Sequence, residues 1–290
     1  LARLRVGLRS SSPILNRVAS RTDRGGSNPP SSFSPLEFSR EFNPTQVDEA
    51  LGNIAENCLR NLPRLEMGKI RDGTLVIVGG GPSLKTHLDY LRNLPENKKI
   101  ICVNEAHDFL VREGINPWGF GFLEVAPWPD ALCEEYPEGC RYFIPSHAHP
   151  PSFDRLDGRD VVMWHARSDI GEAEVIPDKA PLLVTCLGTP SLSCLTLGLV
   201  MGFRKFEMVG CDACCGETTH VYTNRTDENH QFIDVWCGGR QFKTMPYLAK
   251  QAAVFTEFIQ QWGWMFSLTV HGDGLLAHIH NKLNGARNAE

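Results

Sequence analysis

Apolar residues recur at Val47, Leu51, Ile54, Cys58 and Leu62, a helical spacing with Thr45 near its start and Pro63 near its end. That pattern predicts an amphipathic lead-in helix within 43–70. Beyond it the period changes. Short apolar runs at 75–78, 99–103, 120–125, 142–144, 161–164, 182–186 and 206–209 alternate with helical stretches, such as 84–94 and 105–113, the latter closed by Gly114. Strands that are apolar throughout are buried on both faces, which is the situation of a parallel sheet covered by helices on each side. The expected fold is therefore α/β, a Rossmann-like doubly wound, mostly parallel sheet over residues 71–280. Thr189-Pro190-Ser191 precedes Leu192, Leu195 and Leu199, so Thr189 reads as the N-cap and Pro190 as the first residue of another helix. Residues 232–244, with Gly238-Gly239 at their centre, read as a hairpin inserted near the C-terminal end. A helix at 247–262 and a strand at 266–270 follow.

Composition narrows the class. A hydrophobic fraction of 42% and mean hydropathy of −0.23 are those of a globular protein. No stretch reaches the roughly 18 apolar residues of a membrane span, so no membrane partner and a cytoplasmic location are expected. The net charge of −5 and pI near 6.1 give no basic footprint for nucleic acid. The first 33 residues differ: Arg3, Arg5, Arg9, Arg17, Arg21 and Arg24 face Asp23 alone, and a Gly/Ser/Pro-rich stretch follows. A disordered basic tail over 1–42 is expected. Its resemblance to a mitochondrial transit peptide is set below the reading of a loose tail or an extension upstream of the true start. Several of the ten cysteines lie inside apolar runs, and Cys211, Cys214 and Cys215 lack a second ligand pair at zinc spacing. Buried reduced thiols are the expectation.

The chemistry concentrates at strand ends. Val76-Ile77-Val78 runs into Gly79-Gly80-Gly81-Pro82-Ser83, where glycines allow close backbone approach and a helix start offers N–H groups to a phosphate. It is neither a Walker A loop nor a complete Gly-x-Gly-x-x-Gly. In an open parallel sheet, ligands gather beyond the carboxyl ends of strands. This makes Asn104 and Glu124 candidates for ribose, base or metal contacts, against helix capping and a solvated acid as the plain alternatives. Thr189 and Ser191 open a second helix N-terminus able to hold phosphate, against simple capping. Asp212, beyond a late strand, is a candidate for Mg²⁺ or for orienting a hydroxyl. His220 is the candidate general base in a polar stretch with Tyr222 and His230, against a merely solvated histidine. His271 and Asp273 follow the last strand, where Asp273 either caps the next helix or reaches the ligand.

Taken together, Ile77 to Leu84, the Asn104 strand end, Gly114 to Pro117, Gly202 to Lys205, Gly210-Cys211-Asp212, His220-Val221-Tyr222 and 239–252 with 270–275 resemble the 6-hydroxymethylpterin diphosphokinase MptE-like family over residues 74–276. The last two stretches look like members from tailed-phage genomes, which would place the protein in a host cytoplasm. The glycine turn is also similar to that of bacterial sialyltransferases and motility accessory factors. The resemblance implies a shared nucleotide pocket, which the strand-end and helix-start readings place over Gly79, Gly80, Gly81, Pro82, Ser83, Asn104, Thr189 and Ser191. It implies Mg²⁺ on Asp212 and Glu124, and catalysis by Asp212 and His220. Relatives commonly carry Asp where this chain has Glu124. The expected activity is ATP- and Mg²⁺-dependent diphosphoryl transfer to a small hydroxyl acceptor. The alternatives are a glycosyltransferase using a CMP- or UDP-sugar, and a non-catalytic phage binding or morphogenesis protein.

Overall fold

The computed structural model describes residues 44–127, 134–216, 220–221 and 231–287. The expectation for the basic tail concerns residues outside these, and so do the readings of Tyr222 and His230. Eight strands form one sheet in the order β10-β7-β1-β2-β3-β4-β5-β6. They are β1 (Thr74–Val78), β2 (Lys98–Val103), β3 (Gly119–Gly121), β4 (Arg141–Pro145), β5 (Asp160–Arg167), β6 (Leu183–Thr185), β7 (Lys205–Val209) and β10 (Ser267–Val270). Every neighbouring pair is parallel. The sheet is Rossmann-like and doubly wound, as the apolar strand pattern implies. β8 (Ile233–Cys237) and β9 (Arg240–Thr244) form the anticipated hairpin, a separate antiparallel pair turning at Gly238-Gly239.

Alternation along the strands builds a core on each face. Leu75 and Ile77 of β1 and Phe206 and Met208 of β7 face one layer, with α6 (Pro190–Val200) and α7 (Pro246–Trp262) packed on it. Val76, Val78 and Val209 face the other, under α2 (Leu88–Arg92) and α3 (Ala106–Arg112). These side chains are fully or almost fully buried. At roughly 1.5–3 kcal/mol for each large apolar residue, the two layers dominate the driving force for folding.

The lead-in helix α1 (Pro44–Asn57) is shorter than its apolar spacing predicts, and it gives way to a turn over Cys58 to Arg60. Two buried asparagines explain where it stops. Asn53 donates to the His147 carbonyl (3.0 Å), and Asn57 to the carbonyls of Ser146 (3.0 Å) and Ala148 (2.7 Å), pinning the helix end to the loop after β4. Pro63 to Leu65 then lie along β5, exchanging backbone bonds with Met163. Two further elements depart from expectation. The predicted helix at 84–94 begins as a 3-10 turn, Pro82–His87, before α2, and the strand at 120–125 shortens to β3. α4 (Pro150–Asp154), α5 (Glu172–Val175) and α8 (Leu275–Arg287) complete the fold.

Candidate functional site

From β1 the chain winds outward through β2 to β6, then crosses back to place β7 on the other side of β1. Between β1 and β7 the strand order therefore reverses. Such a switch point leaves a crevice at the carboxyl ends of the two strands, because their following loops turn to opposite faces. Gly79 to Ser83 leave β1 here, and Gly210 to Asp212 leave β7.

These two loops interlock. The Gly79 amide donates to the Val209 carbonyl (2.9 Å), the Gly81 amide to the Gly210 carbonyl (2.7 Å), and the Leu84 amide to the Gly81 carbonyl (3.0 Å). The Ser83 amide donates to Asp212 Oδ2 (2.9 Å). A side chain at Gly81 has no room, since a Cβ would stand 2.4 Å from Asp212 Oδ2 and 2.7 Å from the Gly210 carbonyl. Gly210 adopts φ +64°, and a Cβ there would meet the Gly79 carbonyl at 2.3 Å. The glycines thus seat the protein's own carboxylate at the start of the 3-10 turn, the place the sequence assigns to a phosphate. Four amides of the turn are spent inside the fold.

Asp212 is 4% exposed. Burial raises its carboxyl above the ordinary range, against the opposing pull of the Ser83 amide, of the Ser83 hydroxyl that lies against the carboxylate, and of nearby His87. Its Oδ1 has no hydrogen-bond partner, and neither do two other buried oxygens at these strand ends, Ser83 Oγ and Asn104 Oδ1. Asn104, just beyond β2, sits at φ +49°, the left-handed region that Asn tolerates better than most residues. A buried acceptor without a donor costs about 1–3 kcal/mol. Three of them stand at the ends of the adjacent strands β7, β1 and β2.

The remaining expected residues fall into two groups. Thr189 is the N-cap of α6, and its Oγ1 accepts from the Leu192 amide (3.5 Å), as the Thr-Pro pair predicts. Gln251 of α7 donates to Thr189 Oγ1 and to Ser191 Oγ, each at 3.1 Å. Ser191 also bonds Cys211, whose sulfur would stand 3.1 Å from a Cβ on Gly79, so the N-terminus of α6 adjoins the crevice. The Val221 amide donates to the Gly80 carbonyl (3.0 Å), which brings the half-buried His220 to the same turn. Glu124 stands apart. It follows β3, three strands from β7, and at roughly 4.8 Å per strand the two backbones are about 14 Å apart. Asp212 and Glu124 therefore do not converge on one ion. Among the described residues no group of three His, Cys, Asp or Glu is placed to hold a metal. Asp212 alone remains here as a donor for Mg²⁺, and it would hold the ion only together with the phosphates of a nucleotide.

Sequence reasoning missed Gln251 and a second polar knot. Gln251 lies on the apolar stripe of α7 and is 7% exposed, and a polar residue on such a stripe is the signal that would have found it. Beyond β4 and β5, His165 Nδ1 hydrogen-bonds Ser146 Oγ (2.9 Å) and His147 Nε2 donates to the Leu123 carbonyl (2.9 Å). Burial, helped by the positive charge of Arg64, pushes His165 down to about 4. The nine described cysteines are free thiols. Burial raises Cys211 to about 12 and Cys214 to about 11, which leaves neither nucleophilic at neutral pH.

The family described as 6-hydroxymethylpterin diphosphokinase MptE-like matches residues 48–218, more than half of the chain. The chain belongs to the MptE-like family. Among solved structures, this MptE-like chain is similar to the MAf glycosyltransferase from Magnetospirillum magneticum AMB-1, with a TM-score of 0.61 and 16% identity. The similarity covers 88% of this chain and 43% of that one, so the chain spans less than half of its neighbour, and at this identity the likeness concerns the fold. No curated protein matches the sequence. Among the described residues, no helix is long and apolar enough to cross a membrane.

Proposed function

We propose that this MptE-like chain is a group transferase whose switch-point crevice takes the nucleoside of a nucleotide-activated sugar. Family membership supports a transferase-type function, and the fold shared with the MAf glycosyltransferase favours glycosyl transfer as its form. The observation that carries the reading is the set of three unpartnered buried oxygens on Ser83, Asn104 and Asp212. Two of them, a carboxylate and an amide oxygen, only accept hydrogen bonds. They therefore match the hydroxyls of a ribose or the amine of a base better than a phosphate.

The phosphates of the donor are assigned to the N-terminus of α6, where the helix dipole is positive and Gln251 fixes Thr189 and Ser191. In the transfer, a bond forms between an acceptor oxygen and the anomeric carbon as the bond from that carbon to the phosphate oxygen breaks. The nucleotide leaves with the electron pair, and the acceptor proton passes to a base, for which His220 is the candidate. The rival is ATP-dependent diphosphoryl transfer, which the family's description names. It requires Mg²⁺ and a triphosphate beside a carboxylate that already fills the turn. Titrating CMP, UDP and ATP with and without Mg²⁺ tests the choice. Binding that survives chelation supports the nucleotide-sugar reading, and binding of ATP alone that vanishes without Mg²⁺ overturns it.

A further inference from the structure

On the hairpin side of Asp212 lies a second recess, a cleft of about 280 Å³ between the β1 turn, the loop after β7, the strand β9 and the start of α8. That volume is near the small end of the range for ligand clefts, about 300–1,000 Å³. The cleft is polarised. Asp212 and Ser83 line it, and they contribute Oδ1 and Oγ, both buried and unpartnered. Arg240 and Lys243, both exposed, line it from the hairpin.

The two cations differ in how far they are engaged. Arg240 pairs through Nη1 with Asp273 and stacks over Phe242, its guanidinium 4.7 Å from the ring centre. Lys243 stands 4.3 Å over the Phe232 ring and has no ion pair among the described residues. Strand alternation explains the arrangement: Phe242 and Thr244 are buried and hold the hairpin on the fold, while the exposed Gln241 and Lys243 stand at the rim of the cleft.

We propose that this cleft is a binding site for a small molecule with a hydroxyl at one end, facing Ser83 and Asp212, and an acid group at the other, facing Lys243 and the free edge of Arg240. A hydroxyl donates to the carboxylate oxygen and accepts from Ser83. A carboxylate or phosphate at the other end gives Lys243 the ion pair it lacks. The cleft and the crevice meet at Ser83 and Asp212, where a carboxylate oxygen can accept from two donors and a hydroxyl both donates and accepts, so such a molecule places its hydroxyl beside the nucleoside. Its role as the transfer acceptor rests on the function proposed above, whereas the binding itself does not.

The test is calorimetric titration of the full chain with glycerate, glycerol 3-phosphate, glycerol and inorganic phosphate. One or both of the hydroxy acids should bind, the stronger showing whether the site takes a carboxylate or a phosphate. Glycerol, which lacks the acid, and inorganic phosphate, which lacks the alkyl hydroxyl, should bind far more weakly. Lys243→Gln changes an exposed side chain and should weaken the hydroxy acids by roughly three- to fivefold, the effect of a partly exposed charge pair, while leaving nucleotide affinity unchanged. Hydroxy acids that bind no better than glycerol, or bind Lys243→Gln as well as the native chain, would overturn the site. A chain that binds the acids but no nucleotide upholds the cleft and refutes the nucleotide reading. A chain that binds nucleotides alone does the reverse.

Discussion

Replacing Gly81 by Ala adds one methyl group at the point where the two loops of the switch point interlock. Gly81 has φ −68° and ψ 165°, angles that Ala adopts freely, so no backbone strain opposes the change. Fewer conformations of the unfolded chain would even favour the variant by about 0.4–1 kcal/mol. Sterics decide against it. The new Cβ would stand 2.4 Å from Asp212 Oδ2 and 2.7 Å from the Gly210 carbonyl, which is backbone and cannot swing aside. Overpacking of this kind costs about 1–3 kcal/mol. Displacing Asp212 also breaks its bond from the Ser83 amide, and a hydrogen bond to a charged group contributes about 1.5–3 kcal/mol. The net expectation is a loss of about 2–5 kcal/mol, measured by urea unfolding followed by circular dichroism. Gly52, in the middle of α1 with nothing within 4 Å of its Cβ position, supplies the control. Gly52→Ala should stabilise by about 0.5–1 kcal/mol. A Gly81→Ala protein within about 1 kcal/mol of native stability would refute the packing argument at the site.

Three further expectations follow from named groups. His165 is held near 4 in the folded protein against 6.5 when free, so the unfolded chain binds its proton first as pH falls. Stability from this group is complete above pH 6.5 and drains away between 6.5 and 4, by about 3 kcal/mol at 1.36 kcal/mol per pH unit, and His165→Gln should flatten that part of a stability–pH curve. An unchanged slope in the variant would sink the assignment. Asp212→Asn keeps an acceptor for the Ser83 amide but offers the ligand an NH₂ in place of Oδ1, so nucleotide affinity should fall by roughly tenfold, about 1.4 kcal/mol, equally with and without Mg²⁺. A loss confined to Mg²⁺-containing buffer would instead reveal an ion on that carboxylate. Gln251→Leu removes the donor shared by Thr189 and Ser191, and it should cost about 1 kcal/mol in thermal unfolding and weaken nucleotide mono- and diphosphates more than the free nucleoside. Equal effects on all of them would show that the N-terminus of α6 holds no phosphate.

Much of the fold is legible in the residues themselves. Wholly apolar runs such as Leu75 to Val78 leave little choice but a buried parallel strand, and Thr189-Pro190 marks a helix start by local chemistry alone. What the sequence obscures depends on partners far along the chain. The glycine turn reads as a phosphate loop because Asp212, which takes the Ser83 amide, is 129 residues away. The lead-in helix reads as longer than it is because Asn57 reaches Ser146 and Ala148 across about ninety residues. Asp212 and Glu124 look alike as acids at strand ends, and only the strand order separates them. Asn104 is the opposite case: its place after an apolar strand is enough to single it out, with ligand contact and capping both open, and the structure adds an unpartnered oxygen and a positive φ.

The central claim is that the unpartnered oxygens at the ends of β1, β2 and β7 receive a nucleoside. Calorimetric titration of CMP and UDP into the native chain and into Asn104→Ala, both in the presence of a chelator, tests it most directly. The account predicts that at least one of the two nucleotides binds without divalent metal and that the variant loses roughly tenfold or more in affinity. Absence of metal-free binding by the native chain, or equal affinity in the folded variant, would contradict it.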